Sequence, residues 1–130
     1  MVVAVGLDVI ELDRIQGVWN RHKDRFLERH FTEEEIAYCL AKKNPLPSLA
    51  ARFSAKEAFQ KCWFENHGWQ DVWVVRSGRE PRLAFCDDIR EVMQTHNLRA
   101  HLSLTHSKEH AAATVILDAL GEEPSSFKRF

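Results

Sequence analysis

The sequence predicts an α+β domain with helices packed on one face of a small antiparallel sheet. Three observations carry that expectation. The chain opens on an unbroken run of strand-forming apolar residues, Val2 to Leu7. Its middle changes to apolar residues three or four apart, the period of a helix. Its C-terminal half holds short alternating segments divided by turn residues. A length of 130 residues suits one domain. That domain is expected at 1–120, and 121–130, which has no apolar period, is expected to fray.

Taken in order, Val2 to Leu7 reads as a strand buried on both faces. From Leu12, the spacing through Ile15, Val18 and Trp19 predicts a helix. Thr32 followed by Glu35 is a capping-box signature opening a second helix through Ile36, Cys39 and Leu40. Asn44-Pro45-Leu46-Pro47 breaks it. A third helix, Ser48 to Trp63, sets Ala51, Ala55, Phe59 and Cys62 on its apolar side. Val72 to Val75 is a strand, Ser77 to Pro81 a turn, and Arg82 to Phe85 the return of a hairpin. Asp87 is placed as the cap of a helix carrying Ile89, Val92 and Met93 and stopping at Asn97. Arg99 to Thr105 alternates, with Ala100, Leu102 and Leu104 on one face. A tight turn at His106 to His110 leads into a last strand, Ala111 to Leu117. The predicted order is β-α-α-α-β-β-α-β-β.

Composition narrows the function. With 18 Lys+Arg against 19 Asp+Glu, no overall basic signature for nucleic acid is present. The apolar run Ala111 to Leu117 falls far short of the ~20 residues that span a bilayer. No basic stretch precedes Val2-Val3-Ala4-Val5, so no secretory signal is expected. The three cysteines, Cys39, Cys62 and Cys86, are scattered without metal-ligand spacing. They read as free thiols in a reducing, cytoplasmic setting. The five glycines form neither a dinucleotide fingerprint nor a phosphate loop. Phosphate chemistry would have to rest on cationic side chains and a metal.

Three polar clusters invite a reason. Asp8 ends the first strand within Gly6-Leu7-Asp8-Val9-Ile10-Glu11, where a carboxylate is costly unless capped, paired or metal-bound. It either caps the following helix or holds a ligand. Within Arg52-Phe53-Ser54-Ala55-Lys56-Glu57-Ala58-Phe59-Gln60-Lys61, the pairs Glu57/Lys61 and Arg52/Lys56 each lie one helical turn apart. They are either surface charge pairs or a Mg²⁺-binding carboxylate beside phosphate-holding cations. Ser103-Leu104-Thr105-His106-Ser107-Lys108-Glu109 forms a strand-turn junction whose histidine is either solvated or functional. A run of Arg14, Arg21, Lys23, Arg25 and Arg29 is opposed only by Asp24 and Glu28.

Together with Phe31-Thr32 and Glu35, these blocks resemble holo-acyl-carrier-protein synthase, the small bacterial type of 4′-phosphopantetheinyl transferase. The resemblance runs from Met1 to about Asp118. It implies the fold of that family and transfer of 4′-phosphopantetheine from coenzyme A to a serine of apo-acyl carrier protein, releasing adenosine 3′,5′-bisphosphate, in fatty acid biosynthesis. By resemblance, Asp8 and Glu57 ligate Mg²⁺, and Lys61 joins them as a catalytic residue that reaches the coenzyme A phosphates. Arg52, Thr105 and His106 line the nucleotide part of the site. Arg14, Arg21, Arg25, Phe26 and Arg29 match the carrier-docking helix, the last three after a one-residue shift. A homotrimer with active sites between subunits is also implied. The chain departs from the family where a glycine-rich turn gives way to Cys62-Trp63-Phe64-Glu65-Asn66-His67-Gly68-Trp69, and at Gly78-Arg79-Glu80-Pro81. Two other readings stand beside this one. One is a different Mg²⁺-dependent phosphoryl-transfer enzyme. The other is a non-catalytic module binding an acidic partner through the Arg14–Arg29 face.

Overall fold

The computed structural model describes residues 1–78 and 80–121, so most of the tail expected at 121–130 and Arg79 lie outside it. The elements are β1 (Val2–Glu11), α1 (Leu12–His22), α2 (Asp24–His30), α3 (Glu33–Leu40), α4 (Leu46–Cys62), β2 (Val72–Ser77), β3 (Glu80–Phe85), α5 (Asp87–Thr95), β4 (Leu98–His106) and β5 (His110–Ala119). The α+β class is as expected. The sheet is smaller than expected, because β1, β5 and β4 form one antiparallel sheet in that order and β2 pairs only with β3.

Helix α4 organises the core. Burial reaches nearly all round it, including Leu49, Ala50, Ala51, Ala55, Ala58, Phe59 and Cys62. One side meets Val3, Ala113, Val115 and Leu117 of the sheet together with Val72, Val74, Ile89 and Met93. The other meets Ile10, Leu12, Ile15, Phe26, Leu27, Phe31 and Cys39. Small residues along α4 let the sheet approach closely. At Gly6 the approach is closest, since a Cβ there would lie 1.9 Å from the carbonyl oxygen of Ala58.

Four expectations change. The helix predicted from Leu12 ends at His22, and a further helix that was not predicted, Asp24–His30, follows a break at Lys23, whose φ of 53° takes it out of helical space. Helix α4 starts at Leu46, with Pro47 tolerated in the first turn, where a missing N–H leaves nothing unpaired. The cap of α5 is Cys86, and Asp87 is its first helical residue. Most consequentially, β1 is covered on one face only, and Val5, Leu7 and Val9 are 57–60 % exposed in the single chain. The capping box of α3 forms as expected, with Thr32 accepting from Glu35 N–H and Glu35 accepting from Thr32 N–H. The His106–His110 turn closes through Ser107, whose Oγ accepts from the N–H groups of Glu109 and His110.

Candidate active site at the β1–α4 crossing

The close approach at Gly6 sets Asp8 beside the last turn of α4. Lys61 Nζ donates to Leu7 O at 2.8 Å and to Asp8 Oδ1 at 3.2 Å. Asp8 is 14 % exposed, and its second oxygen, Oδ2, is buried without a hydrogen-bond partner. Asp8 does not cap α1, whose N-cap is Glu11. A buried carboxylate oxygen left unpaired is costly and is retained where a ligand completes it. Glu57, half-buried one turn before Lys61, stands on the same stretch of α4. Lys61 pairs with Asp8, so the Glu57/Lys61 surface pair is not what forms here.

Arg52, Thr105 and His106 come together elsewhere, in a groove of ≈ 330 Å³ shared with Tyr38, Lys42, Arg76 and Ser48. Arg52 is only 3 % exposed. Its guanidinium lies 4.3 Å from the centre of the Tyr38 ring, with Nη1 donating to Ser48 O at 3.4 Å and Nε unpartnered. Burial raises the Tyr38 pKa, but its bond to Lys42 and the charges of Arg76, Lys42 and Arg52 outweigh that and lower it. The groove is therefore electropositive. Neither Asp8, Glu57 nor Lys61 lines it. Lys42, Arg76 and Tyr38 are additions that the sequence did not single out.

On the docking side, Arg14, Arg21, Arg25 and Arg29 are exposed. Arg25 and Arg29 border a groove of ≈ 630 Å³ with Val18, His22, Phe26, Glu28 and His30. Phe26 lines this groove from below: it is only 2 % exposed and packs edge-on to Phe31 at 5.7 Å.

The chain also buries a charge pair next to Glu57. Lys56 and Glu35, 1 % and 0 % exposed, meet at 2.7 Å. Lys56 Nζ also donates to His30 O at 2.8 Å and Trp69 O at 2.7 Å, while Glu35 Oε2 accepts from Val74 N–H at 2.9 Å. Burial lowers the Lys56 pKa, with the Glu35 charge pulling the other way. Of the two readings left open for Arg52 and Lys56, the ordinary surface pair fails, since both side chains are buried. Cys39 and Cys62 offer no nucleophile here, because burial pushes their thiols up to about 11.

Residues 4–115 match the model of the 4′-phosphopantetheinyl transferase superfamily. The chain belongs to that superfamily. Among relatives of this transferase-family chain, a holo-[acyl-carrier-protein] synthase of Thermus thermophilus is 51% identical over 119 residues, covering 92% of this chain and 95% of the relative. A Bacillus anthracis holo-(acyl-carrier-protein) synthase, solved in complex with CoA (3′,5′-ADP), superposes with a TM-score of 0.75 at 32% identity, covering 92% and 98%. The holo-[acyl-carrier-protein] synthase of Neisseria meningitidis shares the fold, with a TM-score of 0.82 at 22% identity, covering 91% and 99%.

For a transferase of this family, the donor set at the crossing fits a hard divalent cation. Mg²⁺ is commonly held by one or two carboxylates, with substrate phosphates and water completing the shell. Asp8, with its unpaired Oδ2, offers one such carboxylate, and Glu57 stands one turn before the Lys61 that bonds Asp8. Among the described residues no group of three or more His, Cys, Asp or Glu gathers as a self-sufficient protein cage. None of their helices is long and apolar enough to cross a membrane.

Proposed function

We propose that the chain transfers 4′-phosphopantetheine from coenzyme A to a serine of apo-acyl carrier protein, giving holo-acyl carrier protein and adenosine 3′,5′-bisphosphate. The observation that carries this is the Asp8–Lys61 pair at the β1–α4 crossing, with a carboxylate oxygen left free, in a chain half identical to a holo-[acyl-carrier-protein] synthase. Residues 1–120 serve as the transferase domain.

In the reaction the serine oxygen bonds to the arm's phosphorus, the phosphorus–oxygen bond to the nucleotide breaks with its electron pair leaving on the bisphosphate oxygen, and the serine proton passes to water or a carboxylate. Asp8 and Glu57 would hold Mg²⁺, which when bound neutralises charge on the pyrophosphate. Lys61, half-exposed and anchored by Leu7 O, keeps a donor free for the same phosphates. Arg52, Thr105 and His106, with Lys42 and Arg76, suit the anionic nucleotide end. The exposed Arg14, Arg21, Arg25 and Arg29 would steer an acidic carrier.

Two features favour a homotrimer with shared sites. The cationic groove and the Asp8–Lys61 pair have no lining residue in common. The uncovered face of the sheet is apolar at Val5, Leu7 and Val9, and Thr105 lies on that face by register, opposite Ala112, which pairs with Val9. A neighbour packed there would bring its own groove residues towards the crossing. The free thiols suit the cytoplasm.

Apo-acyl carrier protein incubated with coenzyme A, Mg²⁺ and this protein is expected to gain the phosphopantetheine mass by mass spectrometry. Asp8→Asn and Glu57→Gln should stay folded and lose the activity by more than about a hundred-fold. A competent carrier that gains no mass overturns the reading.

A further inference from the structure

On the side of Glu57 facing the 63–71 loop lies a cavity of ≈ 150 Å³ lined by Lys56, Glu57, Gln60, His67 and Trp69. Its polar groups are already sorted. The Lys56 ammonium is consumed by Glu35 and the His30 and Trp69 carbonyls. Gln60 Nε2 donates to Glu65 O at 3.1 Å, leaving its amide oxygen as an acceptor. His67 Nδ1 lies 3.0 Å from Gly68 O. A carbonyl only accepts, so Nδ1 carries the hydrogen and Nε2 is a bare acceptor. That Nε2 is buried and has no partner. Its turn is held by Gly68 N–H donating to Asp71 at 2.7 Å. Trp69, stacked on Phe53 at 4.7 Å, adds an aromatic wall.

A ligand for this cavity has a small branched apolar body, donates a hydrogen bond or two, and joins the phosphate held beside Glu57. We propose that the cavity binds the pantoyl unit of coenzyme A, with His67 Nε2 accepting from the pantoyl hydroxyl. This rests on the transferase reading and extends it. The pantoyl unit has a gem-dimethyl carbon for Trp69 and one hydroxyl for His67, and the amide N–H of the β-alanine joined to its carbonyl can meet Gln60 Oε1. The cavity holds about five water volumes, enough for that unit and not for the whole arm. The remainder of the arm stays outside.

The test is calorimetric binding, in Mg²⁺ buffer, of coenzyme A, of adenosine 3′,5′-bisphosphate, and of a coenzyme A analogue with hydrogen in place of the pantoyl hydroxyl. Wild type should bind the deoxy analogue about ten-fold more weakly than coenzyme A. His67→Phe, which keeps a ring against Phe59, should bind coenzyme A about ten-fold more weakly and the bisphosphate unchanged. It should no longer distinguish the deoxy analogue. Equal affinity of wild type for coenzyme A and the analogue overturns the proposal even if His67→Phe fails to fold. Loss of bisphosphate binding alongside coenzyme A overturns it too, placing His67 at the nucleotide. A wild type that binds neither coenzyme A nor the bisphosphate overturns the transferase reading, and this inference with it.

Discussion

Gly6 is where one missing methyl group sets the geometry of the site. A Cβ there would collide with the backbone of Ala58, which has no flexible end to move aside. Gly6→Ala must lift β1 from α4 and carry Asp8 away from Lys61. Overpacking of this kind costs about 1–3 kcal/mol. The variant should melt lower and lose transfer activity at temperatures where it remains folded; wild-type melting would refute the collision. His30 offers a second test at this scale. Burial holds its pKa below 6.5, opposed by the bond to Phe26 O and reinforced by Arg29 and Lys56. The unfolded chain therefore takes up the proton first as the medium acidifies. Stability tied to the neutral ring is complete above pH 6.5 and is lost as pH falls below it. His30→Gln should flatten the decline in melting temperature as the pH falls below 6.5. Parallel curves for the two proteins would remove His30 as its source.

Among the elements, α4 owes its setting to the Lys56–Glu35 pair, which joins it to the end of α2, the start of α3, the 63–71 loop and β2. Lys56→Met strands a buried carboxylate and should cost about 3–5 kcal/mol in urea unfolding. Lys56→Met combined with Glu35→Gln removes both charges and should recover part of that loss. A double variant no more stable than the single one would shift the weight to the lost carbonyl contacts. This network shows where reading the chain ran short. Lys56 lies among alternating charges, and helical spacing alone cannot separate a solvated charge from a buried one whose partner is supplied by another helix. The break at Lys23 was equally hidden, since neither Gly nor Pro marks it. What could be read were features encoded locally: the Thr32–Glu35 box, the alternation of β4, and the motif pairing Asp8 with α4. Arg76 and His67 escaped because their surroundings exist only after folding.

For the whole molecule, the most telling difference concerns β1. Its unbroken apolar run suggested cover on both faces, yet one chain covers a single face. An exposed apolar face of this kind suits an association surface, which is the role proposed for it above. If copies associate through this face as proposed, Leu7→Glu should lower the mass seen by light scattering from trimer to monomer and reduce transfer at least about ten-fold. An unchanged trimer would mean that this face is not the interface. A different hazard attends the β2–β3 ribbon, which stands apart from the main sheet and so keeps strand edges of its own. Unpaired edge amides invite foreign strands and seed fibres. Here Glu35 occupies the Val74 amide with a carboxylate that is itself buried. An incoming strand would have to displace a bonded charge before forming its first rung. The carboxylate that helps cap the first turn of α3 thus doubles as a plug against polymerisation.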